Sequence, residues 1–245
     1  MTEGVINVYK EPGWTSMDVC ARLRRLLETK KVGHTGTLDP DAEGVLVVCA
    51  GRATRLVSRL TEHDKTYIAR CKLGIKTDTG DMSGRILLEK DVHTDADAVR
   101  AALERFLGDY AQIPPMYSAL KVNGKRLYDI ARKGGEVERK PRMVRIEEIS
   151  LLDASTLGED GTFTMEVRCS KGTYIRTLCE DIGEALGTAG TMAHLVRTAV
   201  GNFRIGDAKK IGEIEEAVKE GRKEDFVLPV ERVLGDLESL NHNHE

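Results

Sequence analysis

The sequence predicts an α+β (mixed α/β) chain, with a largely antiparallel mixed sheet flanked by helices. Two observations predict it. Stretches with period-2 alternation interleave with stretches of helical period. Several successive strand candidates also lie close enough in the chain to pair as hairpins. Neither G-x-G-x-x-G nor a Walker A pattern occurs, which argues against a dinucleotide or P-loop enzyme.

The elements follow in order. Residues 4–9 (GVINVY) read as a strand, and Lys10-Glu11-Pro12-Gly13 as a turn. Thr15 or Ser16 can cap a helix to about Thr29, with Cys20, Leu23, Leu26 and Leu27 on one face. After a loop come an apolar strand at 45–50 and a helix at 53–60. Residues 65–73 (KTYIARCKL) alternate, with Tyr67, Ala69, Cys71 and Leu73 sharing a face. A polar loop at 77–84 leads to a strand at 85–88. Thr94 and Asp97 form a capping-box-like start to a helix reaching about Leu107. Residues 116–122 are expected as a strand, Asn123-Gly124 as a tight turn and 126–133 as a helix. Strands at 142–152 and 162–170 pair around a Gly/Asp turn. Residues 174–186 form an amphipathic helix with Ile175, Leu178, Ile182 and Leu186 along one side. Residues 191–204 are strand-rich and 210–220 a short helix. The tail, ending SLNHNHE, has no core-forming pattern.

Composition sets the class. Of 245 residues, 40% are apolar and 31% charged, which suits a soluble globular chain of one large domain or a domain with an appendage. No run approaches the ~18 apolar residues of a membrane span. The N-terminus lacks a signal-peptide pattern, so the cytoplasm is the expected location. Five cysteines, none in a CxxC pair, read as buried small hydrophobes rather than disulfides or zinc ligands. The net charge of −3 is uneven: residues 1–205 carry +2 and residues 206–245 carry −5. Residues 121–145 hold nine basic and three acidic side chains, and residues 22–31 hold five and one, patches compatible with a polyanion.

The stretch richest in chemistry is 30–46, KKVGHTGTLDPDAEGVL. Its glycines permit unusual backbone or close approach to a ligand, and Lys31, His34, Thr35 and Thr37 supply donors around one central acid, Asp39. Asp39 could be a nucleophilic carboxylate. Tyr67 offers a ring with a polar tip, Arg176 a cation at a helix start that could keep Asp39 ionised, and Lys10 a second cation. Each also has a plain structural reading. Tyr67 alternates with core residues, Arg176 fits a helix surface, His34 fits a local hydrogen-bonder, and Asp41 and Glu43 fit solvated loop acids. A carboxylate-pair hydrolase using Asp39 with Asp41 or Glu43 is a further possibility.

These segments together resemble a known family. GHTGTLDPDAEGVL is similar to the catalytic segment of bacterial tRNA pseudouridine synthases of the TruB type, which act at position 55 in the T loop. GVINVYKEPGWTSMD resembles the family's first motif, with Lys-Glu where Lys-Pro is usual and Pro12 one place later. DKTYIARCKLGIKTDTGDMSGRI resembles the second. QIPPMYSALKVNGKRLYDIARKGGEVERKPR, CSKGTYIRTLCEDIGEALG and AHLVRTAVGNF resemble those that follow. The resemblance covers about residues 4–205 and implies the pseudouridine synthase fold with a central RNA-binding cleft.

It also implies roles. Asp39 takes the place of the essential aspartate, Tyr67 of the tyrosine that stacks on the target base, and Arg176 of the arginine that pairs with the aspartate. His34 matches the histidine that enters the T loop, and Lys10 the lysine of the first motif. Gly33, Thr37 and Leu38 fall in the same substrate-binding loop. The implied partner is the T-arm stem-loop of tRNA, with no membrane, no obligate protein partner and a monomeric state. The isomerisation is redox-neutral and hydrolyses nothing, so no cofactor or metal is expected. Residues 1–205 are expected to form the catalytic domain and 206–245 a short acidic extension in place of a complete C-terminal RNA-binding domain. A tRNA-folding factor that acts without chemistry is the alternative.

Overall fold

The computed structural model describes residues 2–118, 120–122, 124–132, 134–135 and 137–241. It divides into two compact units, Met1–Lys65 with Val196–Glu245, and Thr66–Leu195. The first opens with β1 (Gly4–Lys10), α1 (Ser16–Leu26), the short β2 (Val32–His34) and β3 (Glu43–Ala50). Thr15 caps α1 in a capping box with Asp18. A 3-10 segment, Gly51–Leu56, then runs into α2 (Val57–Thr61), where the sequence suggests one continuous helix. Neither segment has a side-chain cap, and the first amide, of Gly51, donates to Lys31 O at 2.9 Å instead.

In the second unit, β4 (Lys65–Leu73) has the bounds its alternation predicts. A hairpin of β5 (Ile75–Thr77) and β6 (Ile86–Glu89), helix α3 (Ala96–Glu104) and β7 (Gly108–Gln112) follow. Next come β8 (Lys121–Val122), β9 (Lys125–Arg126), α4 (Leu127–Ala131), β10 (Arg142–Asp153) and the single turn α5 (Leu157–Asp160). β11 (Thr162–Cys169), α6 (Ile175–Ala185) and β12 (Gly190–Val200) follow, and the last residues of β12 belong to the first unit. That unit is completed by β13 (Phe203–Arg204), β14 (Lys209–Lys210), α7 (Ile211–Lys219), β15 (Val227–Leu228) and α8 (Val230–Asn241).

The sheet is the mixed, mainly antiparallel one expected. In the first unit the order is β14-β1-β3-β12, with β1 antiparallel to β3 from Gly4↔Ala50 to Lys10↔Gly44 and β12 parallel to β3. In the second it is β4-β11-β10-β7, with β10 antiparallel to both β11 and β7. β1 and β3 are apolar at nearly every position because both faces are covered. Ile6, Val8, Leu46 and Val48 pack under α1 and α7. Val5, Val45, Val47 and Cys49 face the opposite way, with Leu60, Val230 and Val233. All five cysteines are free and buried, as their periodicity suggests.

Three expectations are corrected. The N-cap of α3 is Asp95, whose carboxylate accepts from the Ala98 amide at 2.8 Å, so the helix starts one residue later than a Thr94 cap implies. Among the described residues of the stretch 116–122, only Lys121–Val122 are strand. The Ser118 amide bonds Met116 O at 3.0 Å, and Ser118 O accepts from the Tyr128 amide, so this backbone closes turns instead of a ladder. The tail is helical to Asn241: contrary to the expectation of no core-forming pattern, Val230, Val233, Leu234, Leu237 and Leu240 recur at helical spacing, and Val230 and Val233 are buried. Asn123, Lys133 and residues 242–245 lie outside the described residues.

Candidate active site

Asp39 lies on the loop between β2 and β3, and groups from β1, α1 and β12 hold that loop by its backbone. On one flank, Ser16 at the start of α1 bonds Leu38 in both directions: its Oγ accepts from the Leu38 amide at 2.9 Å and donates to the Leu38 carbonyl at 3.3 Å. On the other flank, Lys10 Nζ donates to Pro40 O at 2.9 Å and Ala42 O at 2.5 Å, and the Gly13 amide donates to Pro40 O at 2.9 Å. Upstream, Arg197 Nη2 donates to Gly36 O at 3.0 Å, and its Nε donates to Val45 O at 2.7 Å. Leu38 is thereby buried, while Asp39 stays partly exposed between two fixed neighbours. Thr37 is exposed, and Gly33 lies on β2 opposite Cys49.

Lys10 is fully buried, and its ammonium serves loop carbonyls. Burial pushes it down to about 8, against the opposing pull of Asp39 and Asp41. Burying an ammonium costs several kcal/mol, which its charge-assisted hydrogen bonds offset in part. The sequence expectation for Lys10 is contact with substrate; what the fold shows is a brace for the Asp39 loop. Arg197 is the brace that the sequence did not reveal: its motif was visible, but a charged side chain in a strand gives no sign of total burial.

Further groups set the loop's surroundings. His34 is half-buried at the end of β2, and its Nδ1 has no hydrogen-bond partner among the described residues. Burial and the nearby Arg197 charge hold it below the ordinary histidine range, so it is neutral at pH 7. Glu43 departs from its expected role as a solvated acid, because its carboxylate accepts from Tyr9 Oη at 2.5 Å. Burial and that bond push the Tyr9 phenol up to about 12. Asp41 is exposed, as expected.

In the second unit, Tyr67 is buried on the inward face of β4. Arg176 is also buried, at the first turn of α6, where the sequence allowed a plain surface residue. Its Nη1 donates to Thr79 O at 2.9 Å and its Nη2 to Tyr117 O at 2.8 Å. The helix start that carries it is fixed by buried Gln112, whose amide group accepts from Tyr174 N at 2.7 Å and donates to Tyr174 O at 3.0 Å. Gly80 passes over α6 at φ +75°, where a Cβ would lie 3.3 Å from Arg176 Cβ. The fold thus gathers Lys10, Gly33, His34, Thr37, Leu38 and Asp39 in one unit and immobilises Tyr67 and Arg176 in the other. Among the described residues, no three His, Cys, Asp or Glu side chains are grouped to hold a metal ion.

Comparison with known proteins supplies the class. The N-terminal domain pattern of the TruB family pseudouridylate synthases matches residues 24–175. The C-terminal domain pattern of tRNA pseudouridylate synthase B matches residues 176–235. The chain is 48% identical to tRNA pseudouridine synthase B of Bacillus subtilis (strain 168), over 97% of this chain and 78% of that protein. It is 53% identical to the protein of that name from Lachnoclostridium phytofermentans, over 94% and 76% respectively. A chain of a solved Cbf5-Nop10-Gar1 complex superposes with a TM-score of 0.70 at 30% identity, over 91% of this chain. This chain spans 58% of the length of that one. The chain therefore belongs to the TruB family of pseudouridylate synthases.

Proposed function

We propose that this protein isomerises uridine to pseudouridine at position 55 in the T loop of tRNA, with Asp39 as the reacting carboxylate. Family membership carries the reaction class. The observation that carries the residue is the loop itself, braced on both flanks of a partly exposed Asp39. Isomerisation breaks the C1′–N1 bond, turns the base and bonds C5 to C1′, while the C5 proton leaves and N1 regains one. The base must first leave its stack, at a cost of a few kcal/mol that is smaller in a loop than in a duplex. RNA loops are read by stacking on splayed bases and by contacts to the backbone.

In this reading Tyr67 supplies the single ring the base needs, and Arg176 supplies a cation to the reaction. Asp39 acts by attack on C1′ or by assisting C2′ deprotonation. Lys10 supports the substrate by bracing the loop, and Gly33, His34 and Thr37 form the surface that meets the T loop, with Leu38 buried beneath it. The protein acts as a monomer in the cytoplasm, where its substrate is. The Glu43 carboxylate is engaged by Tyr9, which leaves a carboxylate-pair hydrolase without one of its candidate second acids.

The test is tritium release from a [5-³H]uridine T-arm stem-loop. Asp39→Asn is expected to release none while binding the RNA as tightly as wild type. Release at the wild-type rate removes Asp39 from the chemistry. If Asp39→Asn supports tRNA folding in cells as well as wild type does, folding assistance is a separate activity of the same surface.

A further inference from the structure

Arg197, 1% exposed, heads the largest fully buried side chains described, and it lies near the end of β12 at the base of the Asp39 loop. A guanidinium is planar, and its N–H groups point in fixed directions. Here they fan across two backbone segments. Nε donates to Val45 O at 2.7 Å, Nη2 to Gly36 O at 3.0 Å and Nη1 to Thr37 O at 3.4 Å. Val45 belongs to β3, whereas Gly36 and Thr37 belong to the loop, so one side chain ties the loop to the strand. The anchor is itself held in place. Arg197 pairs with Gly44, where φ is +103° and a Cβ would lie 2.3 Å from Arg197 O, so only glycine lets the strands approach this closely.

We propose that Arg197 is a positioning residue for Asp39: it sets the height of the loop above β3, and with it the carboxylate three residues beyond Gly36. This rests on the reading of Asp39 as the reacting group. Lys10 and Ser16 fix the loop beyond Gly36–Thr37, so losing Arg197 frees only the upstream flank. The loop then keeps its RNA-facing surface, and the carboxylate loses its alignment. Lysine cannot substitute, because a point charge on a flexible stem meets one carbonyl at a time and does not span three.

The experiment compares the full chain as wild type, Arg197→Lys and Asp39→Asn on the [5-³H]uridine T-arm stem-loop. It reads RNA affinity by filter binding, the single-turnover rate of tritium release, and amide hydrogen exchange. Arg197→Lys is expected to bind RNA as wild type does and to react about 100-fold more slowly, the loss typical of an ångström-scale misplacement. Amides of residues 35–37 are expected to exchange faster, with those of Leu38 and β3 unchanged. A purely structural role instead predicts faster exchange throughout β3 together with weaker RNA binding, and overturns the proposal. So does a wild-type rate for Arg197→Lys beside an inactive Asp39→Asn, which leaves the role of Asp39 standing. Activity in Asp39→Asn overturns both. Should Arg197→Lys fail to fold, exchange in the wild type decides. The Thr35 amide, which donates to Val47 O of β3 at 3.0 Å beside the carbonyls Arg197 holds, is expected to exchange as slowly as those of β3, and exchange at the rate of an exposed loop overturns the proposal.

Discussion

Lys10 shows how much of a single residue's setting the sequence hides. Its ammonium is fully buried and bonds the carbonyls of Glu11, Pro40 and Ala42. Lys10→Met leaves those carbonyls without their donor, and unfolding in urea at pH 7 is expected to show a loss of about 3 kcal/mol. The sign of the pH dependence follows from burial. The folded lysine sheds its proton near 8, below the ordinary 10.5, so between those values the unfolded chain binds more protons. The stability of wild type relative to Lys10→Met is therefore expected to be least below pH 8 and to grow as pH rises toward 10.5. A gap that narrows over pH 8–10 contradicts this. Asp39 was legible as the one central acid of a donor-rich, glycine-rich loop. Its supports were not, because burial of a cation depends on carbonyls remote in the chain: 30 residues away for Lys10 and Pro40, and 160 for Arg197 and Thr37.

At the scale of elements, legibility tracked how much of a stretch is buried. β4 alternates along its whole length, and its bounds follow from that alone. α6 shows four apolar residues on one side, and it forms within a residue of each expected end. α8 carries its own stripe, Val230, Val233, Leu234, Leu237 and Leu240, which is overshadowed in the sequence by the charged, polar residues around it and the SLNHNHE end. Close backbone contact was the other hidden feature. A Cβ at Gly183 of α6 would lie 2.3 Å from Gly190 N and 2.4 Å from Ala189 C, so the helix seats directly on the entry to β12. Neither neighbour is a flexible side-chain tip that could yield. Gly183→Ala is expected to destabilise the protein by about 3 kcal/mol, measured by denaturant unfolding, because overpacking forces the backbone apart. It is also expected to slow tritium release, since Arg176 rides on the same helix. A neutral Gly183→Ala would mean that α6 can shift away from β12 without cost.

At the scale of the whole molecule, the question is how a chain of net charge −3 holds a polyanion. The charge is placed locally, and residues 121–145 carry its densest basic run. Within that run the cations are not equivalent. Arg145 is already paired with Asp109 at 3.1 Å and Glu147 at 2.9 Å. Arg132, Lys140 and Arg142 are exposed, and Arg132 lies 5.5 Å over the Tyr128 ring. Each cation that neutralises a phosphate releases a counterion, and log affinity then falls with log salt by about 0.7 to 0.9 per contact. Replacing Arg132, Lys140 and Arg142 with glutamine is therefore expected to reduce the slope for T-arm binding by about 2, measured by filter binding across ionic strength. Arg145→Gln alone is expected to leave the slope nearly unchanged, because its charge is already compensated within the fold. The single-turnover rate at saturating protein is expected to survive the triple substitution, since none of the three braces the Asp39 loop. An unchanged slope in the triple variant would show that the RNA is held elsewhere, with the cations of residues 22–31 the next to test.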